Sequence, residues 1–245
     1  MMCAEDFIRA DWSAPAGIVA GCTTRTGGES QGVYHALNLG AHVGDDPVAV
    51  AANRQAMIDA LSLPAEPVWL NQVHSAMVAV EPSPEMEADA ALTGQAGTVC
   101  VVMVADCLPV LFCSDDGAQV AAAHAGWRGL AAGVLENTVA GFAAAPAELH
   151  AWLGPAISQD AFEVGDEVRE AFLQADVAAG SCFVRNDNDR WQADLYGLAR
   201  RRLALAGVRN VSGGGLCTYG DQERFFSYRR DGQCGRMAAF VYRAP

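Results

Sequence analysis

Three residues of this chain combine an ionisable sulfur with two imidazoles at points where regular backbone should end: His74, Cys107 and His124. Cys107 lies in the corner Asp106-Cys107-Leu108-Pro109, and His124 closes an apolar run just before Gly126-Trp127-Arg128-Gly129. His74 stands upstream, in Trp69-Leu70-Asn71-Gln72-Val73-His74. One thiolate and two ring nitrogens around an open fourth position form a donor set with which zinc activates water near pH 7. The same donors suit a blue-copper centre. Without a metal, Cys107 becomes the nucleophile of a cysteine hydrolase, with His124 or His74 as its base. The remaining reading makes all three ordinary packed, hydrogen-bonded residues. No compact CxxC or HExxH spacing decides among these. The fold must bring together three strands that are remote in the chain.

The elements that would do so can be read from the residue pattern. Val99 to Val104 and Val110 to Cys113 are β-rich runs, and a turn from Ser114 to Gly117 leads into the run that ends at His124. Pro109 cannot donate to a ladder, so its corner is expected at a strand end, an edge or a bulge. Gly126 and Gly129 ease the strand-to-helix turn. Pro67 to Val80 alternates well enough to predict a strand carrying His74. Asp45-Asp46-Pro47 opens a helix with Val50, Met57, Ile58 and Leu61 on one face. Further helices are expected over 130–144, despite Gly133 and Gly141, over 165–177, and from Asp194 to Leu205 with Gly207 as its stop. Leu149 to Leu153 and Met237 to Tyr242 read as strands. Strands come in clusters rather than in strict β–α alternation, which favours an α+β fold with mixed or antiparallel sheets.

Charged residues outside the trio admit two readings each. Arg25, in Thr23-Thr24-Arg25-Thr26-Gly27-Gly28, is an anion clamp beside glycine N–H groups or a solvated loop arginine. Arg128 contacts a substrate or packs on the surface. Arg200, Arg201 and Arg202 fan around a helix and read as a solvated face.

The totals limit the function classes. The 245 residues carry 16 basic and 29 acidic side chains, a formal charge of −13, and 51% are apolar. A field of that sign opposes nonspecific binding to nucleic acid and to anionic lipid. One domain, residues 1–245, is expected, with no membrane span and, from Glu5, Asp6, Arg9 and Asp11, no secretory signal. Eight cysteines without paired spacing fit reduced side chains and a cytoplasmic location.

At these residues the chain resembles a known family. Trp69 to His74, Ala105-Asp106-Cys107-Leu108-Pro109-Val110, His124-Ala125-Gly126-Trp127-Arg128-Gly129 and Phe226-Ser227-Tyr228-Arg229-Arg230-Asp231-Gly232 are similar to the YfiH-like, or laccase-domain, family. Thr23 to Gly28 and Leu153-Gly154-Pro155-Ala156-Ile157 match its pattern too. The likeness departs at Ser75, Ala161 and Cys234, none of them a proposed ligand. The resemblance implies a four-layer α/β/β/α fold with zinc on His74, Cys107 and His124. It further implies phosphorolysis of purine nucleosides (inosine, adenosine, guanosine and methylthioadenosine), with adenosine deamination as an associated activity. An older label for the family is copper-dependent polyphenol oxidase, and some members are linked to peptidoglycan precursors, the substrates a cysteine hydrolase here would take.

A laccase-type multicopper centre needs on the order of ten histidines besides its cysteine, because imidazole is the main copper ligand. This chain has five: His35, His42, His74, His124 and His150. For the nucleoside chemistry, the expected catalytic residues are Cys107, His124 and Arg128. Phosphate needs donors and positive charge, for which Arg25, Arg128, Arg229 and Arg230 are candidates. Gln72 and Asp106, beside the ligands, are expected to orient either the base or a ligand.

Overall fold

A computed structural model describes residues 7–245; Cys3, Glu5 and Asp6 lie outside them. The first sheet has the order β1-β2-β13-β5 and is antiparallel throughout. Its strands are β1 (Phe7–Arg9), β2 (Ile18–Thr23), β5 (Cys100–Val104) and β13 (Met237–Arg243). The second sheet has the order β12-β8-β6-β7-β4-β3. It is built from β3 (Val78–Val80), β4 (Ala90–Thr93), β6 (Leu108–Ser114), β7 (Val120–Ala125), β8 (Leu149–Leu153) and β12 (Asn210–Gly213). The β3–β4 and β8–β12 pairs are parallel and the others antiparallel, so the sheet is mixed.

Strand alternation generates the layers. In β13, Met237, Ala239 and Val241 face the second sheet, while Ala238, Phe240 and Tyr242 face away from it. In β6, Leu111 and Cys113 meet the first sheet, while Leu108, Val110 and Phe112 turn outward. Because side chains alternate with period two, a one-residue slip would exchange both sets, and burial on both faces fixes the register. Outside the first sheet, Met57 of α1 (Pro47–Leu61) packs with Phe240. Outside the second lie α2 (Trp127–Ala132), α3 (Val134–Gly141), α4 (Asp166–Leu173) and α5 (Leu195–Leu205). The order α/β/β/α is the expected one. A small sheet of β9 (Glu163–Val164), β10 (Phe183–Arg185) and β11 (Trp191–Ala193), and the short α6 (Tyr228–Asp231), complete the elements.

Local chemistry accounts for the element ends. Asp46 accepts the Val48 N–H at 2.9 Å and Pro47 begins α1, as its cap signature predicts. Pro109 sits at the end of β6 opposite His124, one residue before β8 begins to pair with that strand. Three expectations need correction. The helix over 130–144 starts earlier and breaks at Gly133, whose φ of 96° is left-handed, into α2 and α3. The helix at 165–177 stops at Leu173, and a 3-10 turn capped by Asp176 follows. The strand over 67–80 survives only as Val78–Val80, with single bridges at Val68 and Asn71; His74 between them has φ 60°. A carboxylate described below gathers the N–H groups that a strand would have paired.

The arginine series on α5 is likewise not a solvated face. Arg200 donates to Val211 O and Gly213 O, Arg201 pairs with Asp176, and Arg202 with Glu136 at 2.9 Å. The seven described cysteines are free thiols. Among the described residues, no helix is long and apolar enough to cross a membrane.

Candidate metal centre and active site

His74, Cys107 and His124 converge. One ligand atom from each lies within 4.8 Å of the other two, and the imidazoles meet edge to face at 4.9 Å between centroids. Cys107 occupies the residue just before β6, His124 the penultimate position of β7, and His74 the loop above them. The β6–β7 register, Leu108 opposite Ala125, sets Cys107 beside Gly126. A Cβ on Gly126 would stand 2.9 Å from Cys107 Sγ and 3.3 Å from His74 Cδ2, so only glycine leaves the cluster its space. A Cβ on Gly129 would press to 2.7 Å from Ser75 O, which ties the His74 loop to the start of α2.

Asp89 builds the centre from behind. It is buried at the entry to β4, where its carboxylate accepts the N–H groups of Val73 (3.3 Å), His74 (3.0 Å) and Ser75 (2.6 Å) and the Ser75 hydroxyl (2.8 Å). It also lies 2.8 Å from His124 Nδ1, and its carbonyl accepts the His124 N–H. One carboxylate therefore shapes the left-handed turn at His74 and leaves Nε2 of His124 as the nitrogen that faces the cluster. This is the usual support for a metal-bound imidazole.

The charges are coupled. Burial opposes ionisation of Asp89, but the hydrogen bonds from His124 and Ser75 outweigh it and bring its pKa to about 2. Burial pushes the Cys107 thiol up, yet the charge on His124 and hydrogen bonds from His124 and His74 pull it down to about 6. Burial lowers His124, whereas Cys107 and Asp89 together raise it to about 9. Cys22, by contrast, has only burial acting on it and is pushed well above its ordinary value. A thiolate with two aimed imidazoles fits a borderline-soft cation with one position left open.

The three donors line a cavity of about 430 Å³, a size suited to a small molecule. Met103, Trp127, Ile157 and Phe162 form its apolar surfaces, and Gln72, Asp106, Arg128 and Arg229 also line it. Arg128 stacks on Trp127 at 4.4 Å; among the described residues no carboxylate pairs with it. Arg229 lies over Phe162 at 5.3 Å and donates to Glu163 O. Gln72 exchanges both amide bonds with the Met103 backbone, at 2.7 and 2.9 Å, and so anchors the His74 loop to β5. Asp106 receives Thr218 Oγ1 (2.6 Å), Ser227 Oγ (3.0 Å) and the Arg229 N–H (2.7 Å), which ties Cys107 to α6.

Arg25 and Arg230 do not join them. Arg25 donates to His35 O and Gln222 O and packs on Phe226 at 4.5 Å. Arg230 donates to the carbonyls of Thr218, Tyr219 and Phe225. Neither is among the residues that line the cavity, and each guanidinium closes its own loop. Asp89, and the lining residues His42 and Arg236, are among those the residue pattern did not single out. The signal for Asp89 was an acid between alanines at the mouth of a buried strand, where a carboxylate persists only if paired.

A family model described as multi-copper polyphenol oxidoreductase laccase matches residues 19–244. The chain belongs to this laccase-domain family. It is 54% identical over 234 residues to "Purine nucleoside phosphorylase YfiH" of Escherichia coli (strain K12), covering 94% of this chain and 96% of that protein. It is 52% identical over 238 residues to "Purine nucleoside phosphorylase PA4543" of Pseudomonas aeruginosa, covering 96% and 98%. Among solved structures, the Neisseria meningitidis protein NMB0706 superposes with a TM-score of 0.92 at 48% identity, covering 98% of this chain and 100% of that one. YlmD from Geobacillus stearothermophilus does so with 0.93 at 32%, covering 100% and 98%. The laccase-domain label does not extend to a multicopper ligand set here. His150 pairs with Asp115, His35 holds Arg25 through its carbonyl, and only His74 and His124 meet at the cysteine.

Proposed function

We propose that the chain is a zinc-dependent purine nucleoside phosphorylase that also deaminates adenosine at the same centre. One observation carries this reading: the His74–Cys107–His124 cluster lies in a cavity that pairs aromatic surfaces with Arg128 and Arg229. The names of the relatives at 52–54% identity support the phosphorylase part. Inosine, adenosine, guanosine and methylthioadenosine share the flat purine that such surfaces accept.

Zinc at this centre supplies Lewis acidity toward a substrate atom and makes water a nucleophile near neutral pH. The protein supplies the rest. Arg128 and Arg229 hold phosphate by charge-assisted hydrogen bonds against the repulsion of an acidic chain. Trp127 and Phe162 bracket the purine and exclude water. A phosphate oxygen then bonds to the anomeric carbon while the bond to the purine nitrogen breaks, its electron pair leaving on the base. Cys107 and His124, with His74, would hold the metal, Asp89 orients His124, and Gln72 and Asp106 hold the ligand-bearing loops in register. The reaction needs no partner macromolecule, and we assign the protein to the cytoplasm.

The test is incubation of the zinc-loaded protein with inosine or adenosine, with and without phosphate, resolved by chromatography. Release of free base only with phosphate is the expected result. Base released equally without phosphate overturns the phosphorylase reading. Phenol oxidation by the copper-loaded protein, with no nucleoside turnover, would favour a polyphenol oxidase. Turnover of a peptidoglycan precursor by metal-free protein would favour a cysteine hydrolase.

A further inference from the structure

Deamination requires a group that takes a proton from the attacking water and returns it to the departing amine. Zinc deaminases assign this to a glutamate. Among the described residues, no glutamate lines the cavity. His74, Cys107 and His124 are the cluster itself. Asp106 has both carboxylate oxygens engaged, by Thr218 on one and by Ser227 and the Arg229 N–H on the other. Arg128, Arg229 and Arg236 are guanidinium groups, which do not release a proton in this range. Tyr228 is 61% exposed, its ring packed under the Arg236 guanidinium.

His42 is left. Among the described residues, no hydrogen bond or ion pair engages its ring. Its backbone, however, is held firmly. It lies in the turn between Leu39 and α1, where Tyr34 Oη donates to Val43 O at 2.7 Å and Asp45 accepts from Ser30 and Asn38 at 2.6 and 2.9 Å. A Cβ on Gly40, two residues before it, would stand 2.8 Å from Arg236 Cγ, so this turn packs closely on the Arg236 side chain. An uncommitted imidazole on an anchored turn, facing a cavity that holds a candidate water-activating cluster, is arranged for proton transfer rather than for stability.

We propose that His42 is the proton carrier of the adenosine deamination assigned above, an inference that rests on that reading. Water oxygen bonds to C6 of the purine, and its proton passes to the free ring nitrogen of His42. From there the proton moves to the exocyclic nitrogen, the C6–N bond breaks, and ammonia leaves with that electron pair. No oxidant, reductant or further reactant is needed, and His42 ends neutral as it began. Its surroundings suit a base. Partial burial lowers its pKa first, and Arg236, Arg54, His124 and His74 lower it further, which favours the neutral ring.

The experiment compares wild type, His42→Ala and His42→Gln, each zinc-loaded with metal content measured. Inosine formation from adenosine and phosphorolysis of inosine are followed in the same preparations. The expected result is a fall in kcat for deamination of about 100-fold in both variants, the size typical of a lost acid–base group. Phosphorolysis should fall at least tenfold less, added imidazole should partly restore deamination in His42→Ala, and the acidic limb of the wild-type pH profile should vanish. Deamination within twofold of wild type overturns the inference. So does an equal loss of both activities without rescue by imidazole. A wild-type protein that phosphorolyses inosine but forms none from adenosine overturns the deaminase reading and this inference with it.

Discussion

Asp89 Oδ1 lies 2.8 Å from His124 Nδ1, while the same carboxylate receives the backbone N–H groups of three consecutive residues around His74. Two of the three metal-ligand candidates are thus oriented by one acid that is not itself a ligand. Asp89→Asn keeps the shape but weakens the acceptor. We expect zinc affinity to fall by about 10- to 100-fold, read by chelator competition, with the far-ultraviolet circular dichroism unchanged. Unaltered affinity would show that the carboxylate only shapes the loop.

The Cys107 thiol supplies a pH test in metal-free protein. Its pKa of about 6 reflects burial opposed by the His124 charge and by hydrogen bonds from both imidazoles. The thiolate therefore predominates above that value. Alkylation by iodoacetamide should rise through about pH 6 and level off by neutrality, whereas an unperturbed thiol keeps rising to beyond pH 8. In Asp89→Asn, His124 loses support for its charge, so the midpoint should move upward. Added zinc should protect Cys107 in wild type. A midpoint near 8.5 would contradict the coupling.

The cavity arginines and the loop arginines should separate in kinetics. Arg128→Gln and Arg229→Gln are each expected to raise the KM for phosphate about tenfold, equivalent to about 1.4 kcal/mol. Arg25→Gln removes three donations to backbone carbonyls and should instead lower stability by about 2 kcal/mol, leaving that KM unchanged. Denaturant unfolding and phosphate titrations of the same variants make the comparison. Equal KM effects at Arg25 would return it to the substrate site.

Gly126→Ala tests the geometry of the cluster directly. The new methyl would stand 2.9 Å from Cys107 Sγ. Bound zinc should weaken by at least about tenfold while thermal unfolding stays cooperative, because the clash falls on the donors and not on the core. Full occupancy in this variant would mean that the ligands sit elsewhere.

What could be read from residues alone was what depends on near neighbours. Asp46 and Pro47 open α1 because a cap needs only the next few N–H groups, and the β6–β7 hairpin follows from alternation, a turn and Pro109. The motifs around His74, Cys107 and His124 marked the donors by type. The tertiary structure alone decided what those donors do. Asp89 reaches His124 across neighbouring strands, Gly133 divides a helix, and Arg25 and Arg230 turn to carbonyls instead of the cavity. Such pairings join residues distant in the chain, so they exist only once two sheets and their covering helices have packed. Propensity and periodicity, which act over a few residues, carry no record of them.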